Sequence, residues 1–177
     1  MSEQITENGI RLREMEAADT PDIVRWRNSD AVRLNFIDQR LFTEESHMNW
    51  LNNVVKPGKA KQFIISVKEG DAYLPVGSVY LRDIDYTHKK AEYGIFIGED
   101  AARGKGVGSR VASMMVRHAF EEMKLHRVFL RVYADNAAAI RSYEKAGFDK
   151  EALLRDDVFV NGKYRDIVLM AVINPNS

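Results

Sequence analysis

The feature that most constrains the fold of this chain is a glycine-rich loop between a short apolar segment and a long amphipathic one. Residues 95–97 are apolar and have the character of a strand end, and Gly104, Gly106 and Gly108 follow at alternating positions. From residue 104 to about residue 123, apolar side chains recur at helical spacing. The pattern therefore predicts a strand, a loop and a helix in direct succession, which is a building unit of α/β folds.

The same loop predicts a binding site for phosphate groups. Glycine lets the backbone approach a ligand closely, and successive N–H groups at the start of a helix form a nest for phosphate oxygens. Arg103 and Lys105 add positive charge beside this nest. The spacing is neither the Gly-x-Gly-x-x-Gly of dinucleotide-binding folds nor the Gly-x-x-x-x-Gly-Lys-Ser/Thr of a P-loop. A turn without a ligand is the alternative that the glycines alone leave open.

The remaining periodicities predict a single α/β domain with a mixed central sheet. Strands are predicted over residues 10–13, 62–67, 76–81, 91–97 and 128–133 and on both sides of the Asn161-Gly162 turn, up to residue 172. Helices are predicted over residues 19–28, 43–54, 104–123 and 136–146. This gives about seven strands and about four flanking helices, in one domain over residues 1–177 with a core from about 8 to 173.

Composition narrows the class of protein. The chain has 177 residues, 26 basic and 26 acidic side chains, and no cysteine. One globular domain fits this length, whereas a disordered chain, a disulfide scaffold, a thiolate zinc site and a cysteine nucleophile are excluded. The histidines lack metal-ligand spacing, so no metal is expected. The balanced charge gives no support to nucleic acid or a membrane as a partner, and the lack of a long apolar stretch or signal-peptide pattern predicts a cytoplasmic protein.

Two motifs resemble those of the GNAT family of N-acetyltransferases. Residues 103–108, Arg-Gly-Lys-Gly-Val-Gly, match the family's Arg/Gln-x-x-Gly-x-Gly/Ala pyrophosphate loop. Residues 136–148 begin with Asn and end with Tyr-Glu-Lys-Ala-Gly-Phe, similar to the family's Asn followed by Tyr-x-Lys-x-Gly-Phe. The resemblance covers nearly the whole chain. Within the family it is greatest to the ribosomal-protein and spermidine N-acetyltransferase branch, and residues 26–28 also resemble enzymes that acetylate nucleotide-activated amino sugars.

The resemblance implies an acetyl-CoA site in a splayed sheet. In the family the strand before the glycine loop diverges from its neighbour, pantetheine amides pair with its backbone, and the loop holds the pyrophosphate. The residues that this places around the cofactor are Ile95, Phe96, Ile97, Arg103, Gly104, Lys105, Gly106, Val107, Gly108, Ser109, Asn136 and Ile140.

Tyr143 and Glu92 are the catalytic candidates that the resemblance implies. Tyr143 occupies the family's general-acid position, and a phenol with a pKa of about 10 suits proton donation to a thiolate whose thiol has a pKa of about 8.5. Glu92 stands where the family often places a carboxylate that deprotonates the amine through water. The alternatives are a packed aromatic ring for Tyr143 and a salt-bridged or surface side chain for Glu92.

Trp26, Arg27, Asn28 and Tyr86 lie in segments that the family uses for acceptor binding. Arg27 is the strongest of these candidates, because a guanidinium binds phosphate or carboxylate in a bidentate manner. An ion pair with Asp30 is its structural alternative, and a core position is the alternative for Trp26.

These features predict an acetyl-CoA-dependent N-acetyltransferase that transfers acetyl to a primary amine by direct attack. Deprotonating a lysine-like amine at pH 7 costs about 4–5 kcal/mol, against about 1 kcal/mol for an α-amine, so a water-relayed base favours a protein N-terminal or small-molecule amine. A nucleotide-activated amino sugar and a polyamine are the alternative acceptors, and a non-catalytic acetyl-CoA-binding module is a different class of function. A homodimer is also expected.

Overall fold

The computed structural model describes residues 2–177, which form a mixed sheet covered by helices on both faces. The strands are β1 (Gln4–Glu7), β2 (Ile10–Glu14), β3 (Lys61–Glu69), β4 (Ala72–Asp85), β5 (Lys90–Ile97), β6 (Arg127–Tyr133), β7 (Asp149–Val160) and β8 (Lys163–Ile173). The helices are α1 (Thr20–Asn28), α2 (Asp30–Arg33), α3 (Glu44–Trp50), α4 (Val107–Glu121) and α5 (Ala137–Lys145). A π-helical turn, Leu51–Val55, extends α3.

Within the described residues the sheet has eight strands in the spatial order β1-β2-β3-β4-β5-β6-β8-β7. All neighbouring strands are antiparallel except β5 and β6, which are parallel. This confirms the predicted α/β class and the mixed sheet. The predicted strand number of about seven was too low by β1, and the short helix α2 was not predicted either.

The strand β1, which was not predicted, is joined to β2 by a turn of the same type as the predicted Asn161-Gly162 turn. Asn8 and Gly9 have φ of 48° and 77°, and Asn161 and Gly162 have φ of 52° and 77°. Positive φ at both central residues is the mark of a type I′ turn, for which Asn-Gly is the preferred sequence. Both pairs of strands are therefore hairpins closed by the same turn chemistry.

The strands β5 and β6 separate after a short parallel contact. Their paired residues run only from Lys90 opposite Arg127 to Glu92 opposite Phe129. Beyond that point β5 stays paired with β4 up to Ile97, and β6 stays paired with β8 up to Tyr133. The two strands therefore leave a gap in the middle of the sheet, as the predicted splay requires.

The two faces of the sheet carry two hydrophobic clusters. The larger cluster lies between the sheet and α4 and α5, and Tyr93 of β5 belongs to it. The smaller cluster includes Ile23 and Trp26 of α1 and Phe96 of β5. Because side chains alternate along a strand, Tyr93 and Phe96 point to opposite faces. Thus α4 and α5 cover one face of the gap, and α1 to α3 cover the other.

The start of α4 differs from its predicted position. Helical structure was expected from residue 104, but Gly104 and Gly106 have φ of 72° and 73°, and α4 begins at Val107. A left-handed backbone cannot continue a right-handed helix, so these glycines form the loop and Gly106 caps the helix. None of the helices in residues 2–177 combines the length and apolar character needed to cross a membrane.

Close packing of a glycine on a tryptophan fixes the end of β5 against α1. Trp26 is 1% exposed, and its Nε1 donates to Glu99 Oε1 at 2.7 Å. A Cβ on Gly98 would lie 2.1 Å from Cδ1 of the indole ring. The chain leaving β5 can therefore lie this close to α1 only with glycine at position 98.

We expect Gly98→Ala to lower the free energy of unfolding by about 1–3 kcal/mol, because the added methyl group overpacks a ring that is held in place. Chemical denaturation measures the change. Gly108→Ala is the matched control, since its Cβ would meet only Ser142 Oγ at an ordinary 3.5 Å. Equal stability of the two variants would show that the indole can move aside.

Candidate active site

A cavity of about 1120 Å³ connects the two faces of the sheet at the gap between β5 and β6. On one side it is lined by the glycine loop, the first turn of α4, and α5. On the other side it is lined by α1, the loop that follows α2, and α3. Residues 94–97 of β5 and 130–133 of β6 line it at the gap itself. The cavity therefore offers two arms that meet where the strands diverge.

The first arm ends at a backbone suited to an anion. Gly106, Val107, Gly108 and Ser109 line it at the start of α4. The first N–H groups of a helix have no partner within the helix, and the helix dipole places partial positive charge there. An added Cβ on Gly106 would meet no atom within 4 Å, so the loop leaves open space above this backbone. The start of α4 therefore has room for the predicted phosphate group, whose binding there stays a prediction.

Of the two basic residues predicted beside the phosphate site, Arg103 lines this arm and Lys105 does not. The Arg103 side chain donates from Nε to Ile97 O at 3.0 Å and from Nη2 to Gly98 O at 3.2 Å. It lines the cavity while bracing the loop against the end of β5. Lys105 does not line the cavity, so the structure does not bring it to the cofactor positions that the sequence predicted.

The helix α5 presents two of its three predicted residues to the cavity. Asn136 lies at its N-cap, where Oδ1 accepts from Ala139 N at 3.2 Å, and Tyr143 lies in its last turn. Ile140 was predicted on the same face, but it is 6% exposed and belongs to the larger hydrophobic cluster. Its role in the structure is to hold α5 against the sheet.

Tyr143 combines a packed ring with a free hydroxyl. Its ring meets Tyr93 and Phe148 edge to face, with centroid distances of 6.1 and 6.0 Å. Burial raises the pKa of Tyr143 above its ordinary value, so the phenol stays protonated around neutral pH. The hydroxyl forms no hydrogen bond with another group of residues 2–177, and the residue lines the cavity. Tyr143 therefore presents a protonated hydroxyl at the cavity, and its role as proton donor stays a prediction.

Glu92 lies at the base of the gap, in the last pair before β5 and β6 separate. Its side chain is 10% exposed, and its Oε1 accepts from Arg82 Nη2 at 3.2 Å and from Arg131 Nε at 3.1 Å. It is therefore salt-bridged, as one alternative predicted. Its second oxygen, Oε2, receives no hydrogen bond from residues 2–177, so one carboxylate oxygen is available to water or an amine.

The structure brings only one of the four predicted acceptor residues, Arg27, to the cavity. Trp26 is buried in the smaller hydrophobic cluster, as its structural alternative predicted. Asn28 donates from Nδ2 to Phe42 O at 2.8 Å and accepts from Phe42 N at 2.7 Å, which closes the loop of residues 29–42. Tyr86 is 58% exposed in the connection between β4 and β5.

Sequence reasoning missed Arg82 and Arg131, the two arginines that hold Glu92. Arg82 lies directly opposite Glu92 on β4, and Arg131 lies on β6, so three adjacent strands contribute one charge each. A basic residue on each strand beside β5 could have predicted these salt bridges, but only if the order of the strands in the sheet had been known. Within residues 2–177 no cluster of His, Cys, Asp and Glu could hold a metal ion.

Comparison with known families agrees with this arrangement. The family description "Acetyltransferase (GNAT) domain" matches residues 10–149, which span the smaller cluster, the gap, the glycine loop and α5. The chain belongs to the GNAT family of acetyltransferases. It is an acetyl-CoA-dependent N-acetyltransferase, as the sequence predicted.

Relatives of this GNAT acetyltransferase support the predicted branch. Spermidine N(1)-acetyltransferase of Vibrio cholerae is 25% identical over 164 residues, which are 93% of this chain and 92% of that protein. A putative ribosomal N-acetyltransferase of Bacillus subtilis is 31% identical over 97 residues, 55% of this chain and 52% of that protein. The crystal structure of the Vibrio cholerae spermidine enzyme in complex with CoA and spermine shares the fold, with a TM-score of 0.86, 24% identity, and coverage of 94% of this chain and 96% of that one.

We expect Gly108→Glu to weaken acetyl-CoA binding tenfold or more, because it places a carboxylate where the loop is predicted to hold pyrophosphate. Stability should stay equal or rise slightly, since an acidic side chain in the first turn of a helix is favourable by about 0.3–1 kcal/mol. Calorimetric titration and thermal melting measure the two effects.

Gly108→Gln is the matched control for this charge effect, because it adds a side chain of the same length without the charge. It should bind more tightly than the Glu variant, and the difference should shrink at high salt. A folded Gly108→Glu protein that binds acetyl-CoA as well as the unaltered chain would contradict the assignment of the loop.

Proposed function

We propose that this enzyme acetylates a primary amine by direct attack on acetyl-CoA, with the donor in the arm at α4 and α5 and the acceptor in the arm at α1 to α3. The observation that carries the proposal is the continuous cavity from the anion-binding start of α4, through the gap, to Glu92 and Arg27. A two-armed cavity suits two substrates that must meet at one bond. The gap is where the two arms meet.

The gap offers backbone groups to the pantetheine arm. The edge of β5 that faces β6 beyond Glu92 has no partner strand within residues 2–177. Extended backbone of this kind pairs with an amide-containing chain in the manner of an added strand. Ile95, Phe96 and Ile97 are the residues that would bind pantetheine amides, and this would direct the thioester toward Tyr143.

The reaction requires two proton transfers. The amine forms the C–N bond to the acetyl carbonyl carbon, the C–S bond breaks, and the departing thiolate takes a proton from the Tyr143 hydroxyl. The proton lost by the amine passes to water at Glu92 Oε2 and from there to solvent, and the Tyr143 phenolate regains a proton from solvent. A carboxylate that acts through water is a weak base, which suits an amine that is partly neutral at pH 7.

The acceptor that fits this chemistry is a small-molecule amine or a protein N-terminal α-amine, with a nucleotide-activated amino sugar as a variant of the first. A polyamine is the second candidate, because the Vibrio cholerae relative is named a spermidine N(1)-acetyltransferase. A non-catalytic acetyl-CoA-binding module is the alternative from a different class. Thiol release from acetyl-CoA with peptide N-termini, amino sugars, aminoglycosides and polyamines separates all of these. Binding of acetyl-CoA without release by any amine would overturn the enzymatic proposal.

Assembly and location complete the proposal. A structure of the Vibrio cholerae relative is described as dodecameric. In this chain Phe159 and Tyr164 flank the β7–β8 turn, are 64% and 67% exposed, and pack against each other at 5.0 Å. An exposed aromatic pair of this kind supports self-association, and a homodimer is the simplest form of it. A cytoplasmic location stays a prediction from the sequence.

We expect Tyr143→Phe to lower turnover about 10²–10⁴-fold, since it removes the proton donor and keeps the ring packing. Affinity for acetyl-CoA should stay within a few-fold. Steady-state kinetics with a verified acceptor and calorimetry check the two statements.

Tyr93→Phe is the matched control, because the Tyr93 ring packs on Tyr143 and its own buried hydroxyl has no hydrogen-bond partner in residues 2–177. Its turnover should change little, and its stability should be equal or higher, because an unsatisfied buried hydroxyl is removed. Retained turnover in Tyr143→Phe would make Tyr143 a packing residue only.

A further inference from the structure

The acceptor arm of the cavity carries an excess of positive charge. Its basic lining residues, among those that the structure describes, are Arg27, Arg40, Arg82 and Arg131. Its acidic lining residues in the same part of the chain are Asp38 and Glu92. Asp38 pairs with Arg40 at 2.7 Å, and Glu92 is shared by Arg82 and Arg131. Arg82 also lies 3.9 Å from Asp83, so Arg27 is the arginine of this arm that forms no salt bridge within the described residues.

Arg27 is the most unusual of these cations. It is 5% exposed, and no carboxylate of residues 2–177 forms a salt bridge with it. The ion pair with Asp30 that the sequence left open does not form, because Asp30 pairs with Arg33 at 3.0 Å. Arg27 Nη2 makes one long hydrogen bond, 3.4 Å, to the backbone oxygen of Asp38. Its Nη1 is buried without a partner in the described chain.

Aromatic rings fix the way in which Arg27 can bind a ligand. Its guanidinium carbon lies 3.7 Å from the ring centroid of Phe36 and 4.4 Å from that of Phe42. Rings stacked on the plane of a guanidinium leave its edge, where the N–H groups point, for binding. An oxyanion such as a carboxylate or phosphate matches that edge with paired hydrogen bonds.

A second arginine of the arm, Arg82, also has a buried N–H group without a hydrogen-bond partner in the described chain. Arg82 donates from Nη2 to Glu92, but its buried Nε has no hydrogen-bond partner in residues 2–177, and Asp83 lies 3.9 Å from it. Burial lowers the pKa of Arg27, the nearby Tyr80 and Asp38 oppose this shift, and the charge of Arg82 adds to it. An anionic group bound in the arm would stabilise both arginine cations.

We infer that the acceptor is an amine that carries an oxyanion, a carboxylate or a phosphate, and that Arg27 binds this group. The inference rests on the proposed function, because it assigns the arm at α1 to α3 to the acceptor. A polyamine offers only positive charge to this arm, so the inference separates this enzyme from its spermidine-acetylating relative.

Paired acceptors test the inference on the unaltered enzyme. One pair is glucosamine 6-phosphate and glucosamine, which differ in a phosphate, and the other is glycylglycine and glycylglycinamide, which differ in a carboxylate. We expect kcat/KM to be at least tenfold higher for the anionic member of at least one pair, and lower for spermidine than for that member. The pair that responds identifies the anion as phosphate or carboxylate. Equal rates within both pairs, or spermidine as the fastest acceptor, would overturn the inference.

Variants of Arg27 connect this preference to one side chain. Arg27→Gln should abolish the preference by raising the acceptor KM for the anionic member tenfold or more, with the KM for acetyl-CoA unchanged. Arg27→Lys keeps the charge without the planar edge and should retain part of the preference. Arg25→Gln is the matched control, because Arg25 lies on the same helix, pairs with Asp22 and Glu99 outside the cavity, and should keep the full preference.

The outcomes keep the two proposals apart. Acetylation of amines without any anion preference defeats the inference and leaves the N-acetyltransferase function intact. Bound acetyl-CoA with no thiol release by any amine defeats the proposed function, and the inference falls with it. A preference that survives Arg27→Gln in a folded enzyme assigns the anion to another group and also overturns the inference. If Arg27→Gln does not fold, the ratios of the unaltered enzyme and of Arg27→Lys decide.

Discussion

The structure depends on the loss of hydrogen bonding between β5 and β6 after Glu92. Backbone N–H and C=O groups inside a protein are nearly always hydrogen-bonded. Two strand edges that face each other without hydrogen bonds therefore need a restraint that keeps the strands apart and a functional reason for the separation. The restraint is visible on both sides, because β4 holds β5 as far as Ile97 and β8 holds β6 as far as Tyr133. Glu92 and Arg131 connect the two strands where they part. In the proposed function the reason is the donor, whose amide-bearing arm can bond to a free edge.

Much of this arrangement could be predicted from the sequence because it depends on patterns of residues that are close together in the chain. The glycine loop, the amphipathic helix α4 and the Asn161-Gly162 turn each depend on neighbouring residues alone. The Asn8-Gly9 turn has the same chemistry, but the strand before it is short and polar, so its periodicity was too weak to predict β1. The start of α4 was misplaced because Gly104 and Gly106 are compatible with a helix by spacing and incompatible with it by their φ angles.

The parts that could not be predicted are those that depend on partners far apart in the chain. Trp26 was a candidate for the acceptor site until the structure placed it against Gly98 and Glu99, more than 70 residues later. Arg82 and Arg131 are recognised as site residues because both form salt bridges with Glu92, and only the folded sheet places Glu92 between them. The state of Arg27 depends on the lack of a salt bridge to any carboxylate of residues 2–177, although Asp38 lies in the same arm, and a sequence cannot display such a lack.

The hydrogen bonds between Asn28 and Phe42 have a consequence for how an enzyme of this kind can change during evolution. They close residues 29–42 at their base, between α1 and α3. Residues of this closed segment, among them Phe36 and Asp38, form much of the acceptor arm, whereas the donor arm is built from other parts of the chain. Under the proposed assignment of the two arms, substitutions at the cavity-lining positions of this segment would alter the acceptor preference and leave the acetyl-CoA arm unchanged.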